Sequence, residues 1–349
     1  MIERPYEPKR ILITGGAGFI GSALVRMVLD HLPGAEVVNL EALTYAASLS
    51  GLEEVLDHPR HRFVRGDIAD RAAVRSAMEG CDAVINVAAE SHVDRSILDS
   101  GPFVRTNVVG TQTLLDTARE LKVQRYIQVS TDEVYGSLSL DPNEPAFTEL
   151  TPLRPSSPYA ASKAAADLLV LAYVHTFGFP AMITRCSNNF GPRQFPEKVI
   201  PLFTINLMRG KRVPLYGDGL NVRDWIHVDD HCAAIIAALE RGQAGQVYNI
   251  GASNEHPNVE LTHMLLRLTG RDASYIEHVT DRLGHDRRYA IDSTWTTQAL
   301  GWQATRSIWP AALEATVHWY RENQKWWESI LSGRYREENE RLAQQCRRP

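Results

Sequence analysis

The sequence predicts a doubly wound α/β protein, a parallel sheet covered by helices on both faces, with a smaller domain over the carboxyl ends of its strands. Three observations carry this expectation. From Arg10 to about Arg185, short runs rich in Val and Ile alternate with longer stretches of helical period, and each parallel crossover needs a helix to bring the chain back. A glycine-spaced turn, Gly15-Gly16-Ala17-Gly18-Phe19-Ile20-Gly21, joins the first such run to the first helical stretch. Beyond Arg185 the alternation gives way to loops containing Pro192, Pro196, Pro201 and Pro214, with shorter helical stretches between them.

Taken in order, strands are expected over 10–14, 36–40, 62–64, 83–88, 125–130 and 181–184, and helices over 20–31, 71–79, 103–121 and 160–177. The second part should add helices near 199–209, 229–240 and 259–269. This places a nucleotide-binding domain at 1–186 and a substrate domain at 187–349, parts of which can return to the first. The stretch 334–349 is charged throughout and reads as a solvated or frayed helix. The 160–177 helix is apolar on most of its circumference (Ala164, Ala165, Leu168, Leu169, Leu171, Ala172, Val174), whereas packing on one sheet needs one apolar stripe. Its second partner is either another helix of the chain or the same helix of a second subunit.

Composition narrows the function. With 349 residues, Lys+Arg 37 against Asp+Glu 42 and a net charge of −5, the chain is a globular protein unsuited to nucleic acid. No apolar stretch approaches the roughly 20 residues that span a bilayer, so a cytoplasmic protein without a membrane partner is expected. Cys81, Cys186, Cys232 and Cys346 form no CxxC pair, which reads as reduced, mostly buried thiols rather than disulfides or a zinc site. Glu90, His92 and Asp94, and likewise His227, Asp229, Asp230 and His231, lack a recognised ligand spacing, so no metal is expected.

The glycine turn carries the first chemical message. Gly15 permits a tight turn, Gly18 lets backbone approach a pyrophosphate, and Gly21 lets helix and strand pack closely. The helix start then offers unpaired N–H groups to the phosphates. Glu41 ends the second strand about 20 residues later, where the dinucleotide fingerprint has its acidic residue. A carboxylate there accepts from a ribose 2′-hydroxyl and repels a 2′-phosphate, which favours NAD over NADP.

Tyr159 and Lys163 stand four apart at the start of a helix and so share a face. An ammonium beside a phenol favours the phenolate, making Tyr159 a base for a substrate hydroxyl. The preceding strand ends Gln128-Val129-Ser130-Thr131, which would place a hydroxyl opposite. Asp132 and Glu133 follow at once. Two neighbouring carboxyls in a partly dry cleft resist double ionisation, so one can serve as acid and the other as base. Ser130-x-x-Glu133 also fits a helix capping box, with Asp132 merely favourable in a first turn.

Gly-x-x-Gly-x-x-Gly followed by Tyr-x-x-x-Lys resembles the extended short-chain dehydrogenase/reductases, whose nucleotide domain has the Rossmann fold. Further segments narrow the resemblance to the dTDP-glucose 4,6-dehydratases: Ala88 to Ser96, Thr131-Asp132-Glu133-Val134-Tyr135-Gly136, Arg185 to Pro192, Gln194-Phe195-Pro196-Glu197-Lys198 and Arg223-Asp224-Trp225. The resemblance runs from about Arg10 to Trp302. It implies a homodimer that removes water across C5 and C6 of a nucleotide-activated glucose and keeps its NAD throughout. Thr131, Asp132 (acid), Glu133 (base), Tyr159 and Lys163 would be catalytic. Gly15, Gly18, Phe19, Ile20, Gly21, Glu41, Thr44, Asp67, Ile68, Ala88, Ala89, Thr106, Ser130, Tyr159, Lys163 and Asn189 would hold the cofactor. Ser91, His92, Thr131, Asn188, Lys198, Val199, Pro214, Tyr216, Arg223, Asn258, Asp281, Arg282 and His285 would hold the nucleotide sugar. The chain departs from the family pattern at Glu41 (usually Asp), at Ala46-Ala47-Ser48 (usually Ala-Gly-Asn) and at Leu283 (usually Pro). A 4-epimerase or decarboxylase of the same family would lose no water, and a silent NAD-binding regulator would show no turnover.

Overall fold

Seven strands, all parallel to their neighbours, form the centre of the computed structural model, which describes residues 5–141 and 143–345. Cys346 and the Arg347-Arg348 end lie outside the described residues. In chain order the strands are β1 Arg10–Thr14, β2 Glu36–Glu41, β3 His61–Arg65, β4 Ala83–Asn86, β5 Arg125–Thr131, β6 Ala181–Cys186, β7 Asn188–Phe190, β8 Val213–Tyr216, β9 Val222–His227, β10 Val247–Ile250, β11 Glu255–Pro257 and β12 Ile276–Val279. The large sheet runs β10-β6-β5-β4-β1-β2-β3; β11-β9-β7 and β12-β8 make two small ones. The doubly wound expectation holds, and the six strands expected in its first part all form.

Helices α1 (Phe19–His31), α2 (Arg71–Met78), α3 (Val93–Leu98), α4 (Gly101–Phe103), α5 (Thr111–Glu120), α6 (Pro158–Phe177), α7 (Val199–Met208), α8 (Val228–Arg241), α9 (Asn258–Thr269), α10 (Thr294–Leu300), α11 (Ala311–Glu322), α12 (Gln324–Ser332) and α13 (Tyr335–Gln345) complete the chain. One face of the sheet is covered by α1 and α8, through Leu24, Val28, Ile235 and Leu239. The other is covered by α2, α5 and α6, through Val74, Leu114, Leu115 and Val170. The expected 103–121 helix is broken by a wider π-helical segment, Val104–Gly110, whose Thr106 reaches the cavity described below.

Two features of the second part were not legible in its local sequence. Both β10 and α8 return to the large sheet, β10 pairing with β6 from Val247 to Ile250. A separate core around Phe190, Phe203, Trp225, Leu261 and Leu313 holds α7, α9 and α11 together. The end of the chain corrects the expectation of a solvated or frayed helix: α13 buries Tyr335, Asn339 and Ala343 along one face. Positions i, i+4 and i+8 share a helix face, and three buried residues among charged ones suffice to dock it.

Candidate active site

The order of the sheet reverses between β1 and β4, and in such sheets ligands bind beyond the carboxyl strand ends at that point. A cavity of about 320 Å³ lies there. Its floor is the glycine turn. Gly15 has φ +69, a left-handed conformation, and a Cβ on Gly21 would stand 2.1 Å from the Gly15 carbonyl oxygen. Gly18 begins α1 with no side chain capping the free N–H groups, so the helix start faces the cavity open. Glu41, buried at the end of β2, accepts from Ala17 N (3.0 Å) and Leu43 N (2.8 Å). Burial pushes its carboxyl above the usual range, against those backbone bonds. Every residue expected to hold the cofactor lines this one cavity, from Gly15 to Asn189. The buried Asn188 Oδ1, which lines the cavity, has no hydrogen-bond partner among the described residues. Uncapped helix start, glycine cradle, carboxylate and unspent polar atom together fit a dinucleotide.

The five residues expected to be catalytic stand together on the cavity wall. β5 ends at Thr131, whose hydroxyl caps the short turn Asp132–Tyr135 by accepting from Glu133 N at 3.3 Å. This replaces the capping box: the cap is Thr131, not Ser130. Asp132 is 1 % exposed and, among the described residues, its side chain accepts only from the Thr131 hydroxyl (3.3 Å). Burial first, then the charges of Glu133 and Asp224, raise its carboxyl well above the carboxylate range. Glu133 is also raised by burial, but Arg282, Lys198 and Arg223 pull it down. Both carboxyls are thus raised, Asp132 strongly and Glu133 against three opposing cations, an inequality that favours Asp132 as the proton-bearing member of the pair.

Tyr159 and Lys163 are buried near the start of α6, whose N-cap is Ser157. Lys163 Nζ donates to the Val129 carbonyl at 2.6 Å, anchored to β5. The expected lowering of the Tyr159 phenol by this ammonium is not what the protein alone shows. Burial, and then the charge of Glu133, hold the phenol well above its ordinary value. One turn beyond Lys163, Asp167 pairs with Arg185 (2.9 Å), so a buried carboxylate separates two buried cations.

The residues expected to hold the nucleotide sugar divide. Ser91, Thr131, Asn188 and Lys198 line the cavity, with Lys198 Nζ donating to the Ser91 carbonyl at 3.0 Å. His92 stands beside them, 3.8 Å from Glu197, and Val199 starts α7. Beyond the cavity wall, Arg223 lies over the Tyr289 ring (4.2 Å) and donates to the Asp286 carbonyl (3.0 Å), without an ion-paired carboxylate among the described residues. Arg282 meets Asp94 (3.4 Å), and Asp281, His285 and Tyr216 touch in sequence. Asn258 caps nothing and is bonded through its N–H to Asn221 O, and Pro214 sits in β8 opposite Glu277. Neither faces the cavity.

Sequence reasoning missed Glu90, Gln194, Phe195 and Glu197, all of them cavity-lining. All four lie in segments already quoted for their resemblance, which was the available signal. Tyr45 had none: its hydroxyl donates to Glu197 at 2.8 Å from 152 residues away. Among the described residues there is no cluster able to hold a metal ion and no helix long and apolar enough to cross a membrane. Cys81, Cys186 and Cys232 are buried and unpaired.

The GDP-mannose 4,6 dehydratase family model matches residues 12–310. A dTDP-glucose 4,6-dehydratase of Streptomyces griseus is 54% identical over 92% of this chain and 97% of its own. Among solved structures, the dTDP-glucose 4,6-dehydratase DesIV of Streptomyces venezuelae, with NAD and dTDP bound, superposes with a TM-score of 0.89 at 50% identity, covering 92% of this chain and 99% of that one. The corresponding Bacillus anthracis enzyme in complex with NAD gives 0.85 at 46%, with the same coverage.

Proposed function

The chain belongs to the dTDP-glucose 4,6-dehydratases of the GDP-mannose 4,6 dehydratase family, and we infer that it dehydrates dTDP-glucose to the 4-keto-6-deoxy sugar with NAD as its cofactor. The observation that carries the chemistry is the unequal carboxyl pair on the cavity wall: a buried Asp132 raised well above the carboxylate range next to a Glu133 whose rise is opposed by three cations. An epimerase has no need of an acid and a base at C5 and C6.

Bound NAD supplies a hydride acceptor at C4 and a hydride donor at C6, with no net redox. We assign Tyr159 to take the proton of the 4-hydroxyl. Its phenol, raised in the protein alone, needs the Lys163 ammonium close by to become a base when ligands exclude water. The 4-ketone acidifies the C5 hydrogen, which Glu133 removes. Asp132 gives its proton to the departing 6-hydroxyl. Arg223, buried without an ion-paired carboxylate among the described residues, is suited to the diphosphate, because a planar guanidinium grips phosphate with paired hydrogen bonds. Incubation with dTDP-glucose and UDP-glucose in parallel, followed by product mass, tests this reading; water loss from neither overturns it.

The roles of the pair set a pH dependence. Turnover should rise as pH climbs through the ionisation of Glu133 and fall as it climbs through that of Asp132. Both limbs belong to the coupled pair rather than to either residue. A profile flat from pH 5 to 10 in a chemistry-limited assay would contradict these roles.

Glu41→Ala removes the carboxylate from the nucleotide end along with its two backbone bonds. NAD affinity should drop about 10-fold or more, at roughly 1–2 kcal/mol for such bonds, while turnover at saturating NAD changes less. Equal affinity by titration of apo-protein would remove Glu41 from the cofactor site.

We also propose a cytoplasmic homodimer. Leu98 (87 % exposed), Val104, Val109, Leu168 (58 %) and Phe177 leave an apolar face along α3, the Val104–Gly110 segment and α6, larger than isolated surface residues require. Leu168→Asp should give monomer or aggregate by light scattering. A wild-type chain that is monomeric at micromolar concentration would refute the dimer.

A further inference from the structure

After β2 the chain turns through residues 42–48 into the short turn Leu49–Leu52, and Ala42, Thr44, Ala46 and Ala47 form the cavity wall beside Glu41. This is where the sequence departs from the dehydratase pattern. Its own contacts are sparse: Ser48 N donates to Ala17 O (2.8 Å), and Ala47 N reaches Thr44 O only at 3.2 Å. Leu43 has φ 59, a left-handed conformation that a leucine avoids unless its surroundings impose it. The missing support comes from the far end of the chain. Asn339 of α13, 4 % exposed, donates from Nδ2 to the Ala47 carbonyl (2.9 Å) and accepts at Oδ1 from Leu49 N (2.8 Å). Tyr335 donates to the Tyr45 carbonyl at 2.6 Å. Glu340 pairs with Arg65 at the end of β3 (2.7 Å).

The Asn339 amide is matched on both its atoms by loop backbone in one conformation. Any other conformation would leave polar groups buried and unpaired, so these contacts select the conformation rather than merely cover it. The grip reaches further. The Tyr45 ring carries the Arg95 guanidinium 3.7 Å above it, and its hydroxyl holds Glu197. Phe195 packs edge-on between Tyr45 (5.8 Å) and Tyr335 (6.1 Å). One helix thus secures the loop on the cofactor side and, through Tyr45 and Phe195, the segment that carries Glu197 and Lys198.

We propose that Tyr335 and Asn339 of the C-terminal helix are positioning residues for the cofactor, holding residues 45–49 as the wall that keeps NAD bound between turnovers. This rests on the reading of the cavity as an NAD site. The test strips NAD from the full-length protein and measures its rebinding by the wild type, by Asn339→Ala, by Tyr335→Phe and by a chain ending at Gly333. Asn339→Ala should weaken NAD about 10-fold, as expected for two neutral hydrogen bonds, and the shortened chain more. For Asn339→Ala the apparent KM for NAD should rise while kcat at saturating NAD moves less than about twofold, and dTDP affinity should stay unchanged, because Tyr335 and its packing on Phe195 remain. Folded Asn339→Ala with wild-type NAD affinity overturns the proposal. Should the variants not fold, hydrogen exchange on the wild type decides. NAD should slow exchange in 45–52 and in 335–345 together, and protection confined to 45–52 overturns it. A wild-type chain that rebinds no NAD would overturn the functional reading, and this proposal with it. Unchanged affinity across the variants, with NAD bound by the wild type, overturns this proposal alone.

Discussion

Tyr159→Phe is expected to lower turnover of dTDP-glucose by about 10²- to 10⁴-fold, the range for a lost proton transfer in the transition state. The substitution removes one oxygen from a side chain that is 8 % exposed and packed edge-on against Phe103 (ring centroids 6.3 Å), so fold and NAD binding should survive. Every later step waits on the 4-ketone. Oxidation at C4, exchange of the C5 hydrogen with solvent and loss of water should therefore fall together, by the same factor. Lys163→Met should add to this a loss of NAD affinity, because the anchor at Val129 O disappears with the charge. A Tyr159→Phe enzyme that still exchanges the C5 hydrogen at the wild-type rate would place the first proton transfer on another residue.

How far the sequence could be read depended on whether the information was local. The strand–helix alternation and the glycine turn are local patterns, and β1 to β6 with α1, α2, α6, α7, α8 and α9 follow from them to within a few residues. Thr131, Asp132 and Glu133 were legible because strand end and carboxyls are contiguous, and Tyr159 and Lys163 because one helical turn separates them. What was not legible depends on distant pairing. That β10 joins β6 is decided by the sheet edge left open at 181–186. That α13 docks is decided by the backbone of 45–49, some 290 residues earlier. The state of Tyr159 could not be read from Lys163 alone, because burial and then the charge of Glu133 raise the phenol, and neither is visible in the Tyr-x-x-x-Lys spacing. The cap misassignment has a similar origin. Ser130 and Thr131 are both plausible caps in sequence, but β5 continues through Thr131, which puts the turn one residue later.

The carboxyl pair should fail differently from Tyr159. Asp132→Asn and Glu133→Gln keep the shape of the site while removing the acid and the base, so oxidation at C4 can proceed and water loss stalls. Both variants should accumulate the absorbance of reduced nicotinamide after substrate is added, with overall turnover down by about 10²-fold or more for each. They should then separate from one another. Glu133→Gln has lost the group that takes the C5 proton, and solvent deuterium should not enter that position. Asp132→Asn keeps Glu133 among the charges of Arg282, Lys198 and Arg223, so abstraction can continue and exchange should persist without elimination. Stability moves the opposite way from a structural role. Asp132 is a buried acid whose Oδ2 has no hydrogen-bond partner, and a neutral amide relieves the cost of ionising it. Asp132→Asn should therefore be at least as stable as the wild type above the pH at which Asp132 ionises. If the pair served only to start the turn, both variants would lose thermal stability and retain turnover. Wild-type rates in both carboxamide variants would return the chain to the epimerase-like chemistry of its fold, in which no acid and base are needed at C5 and C6.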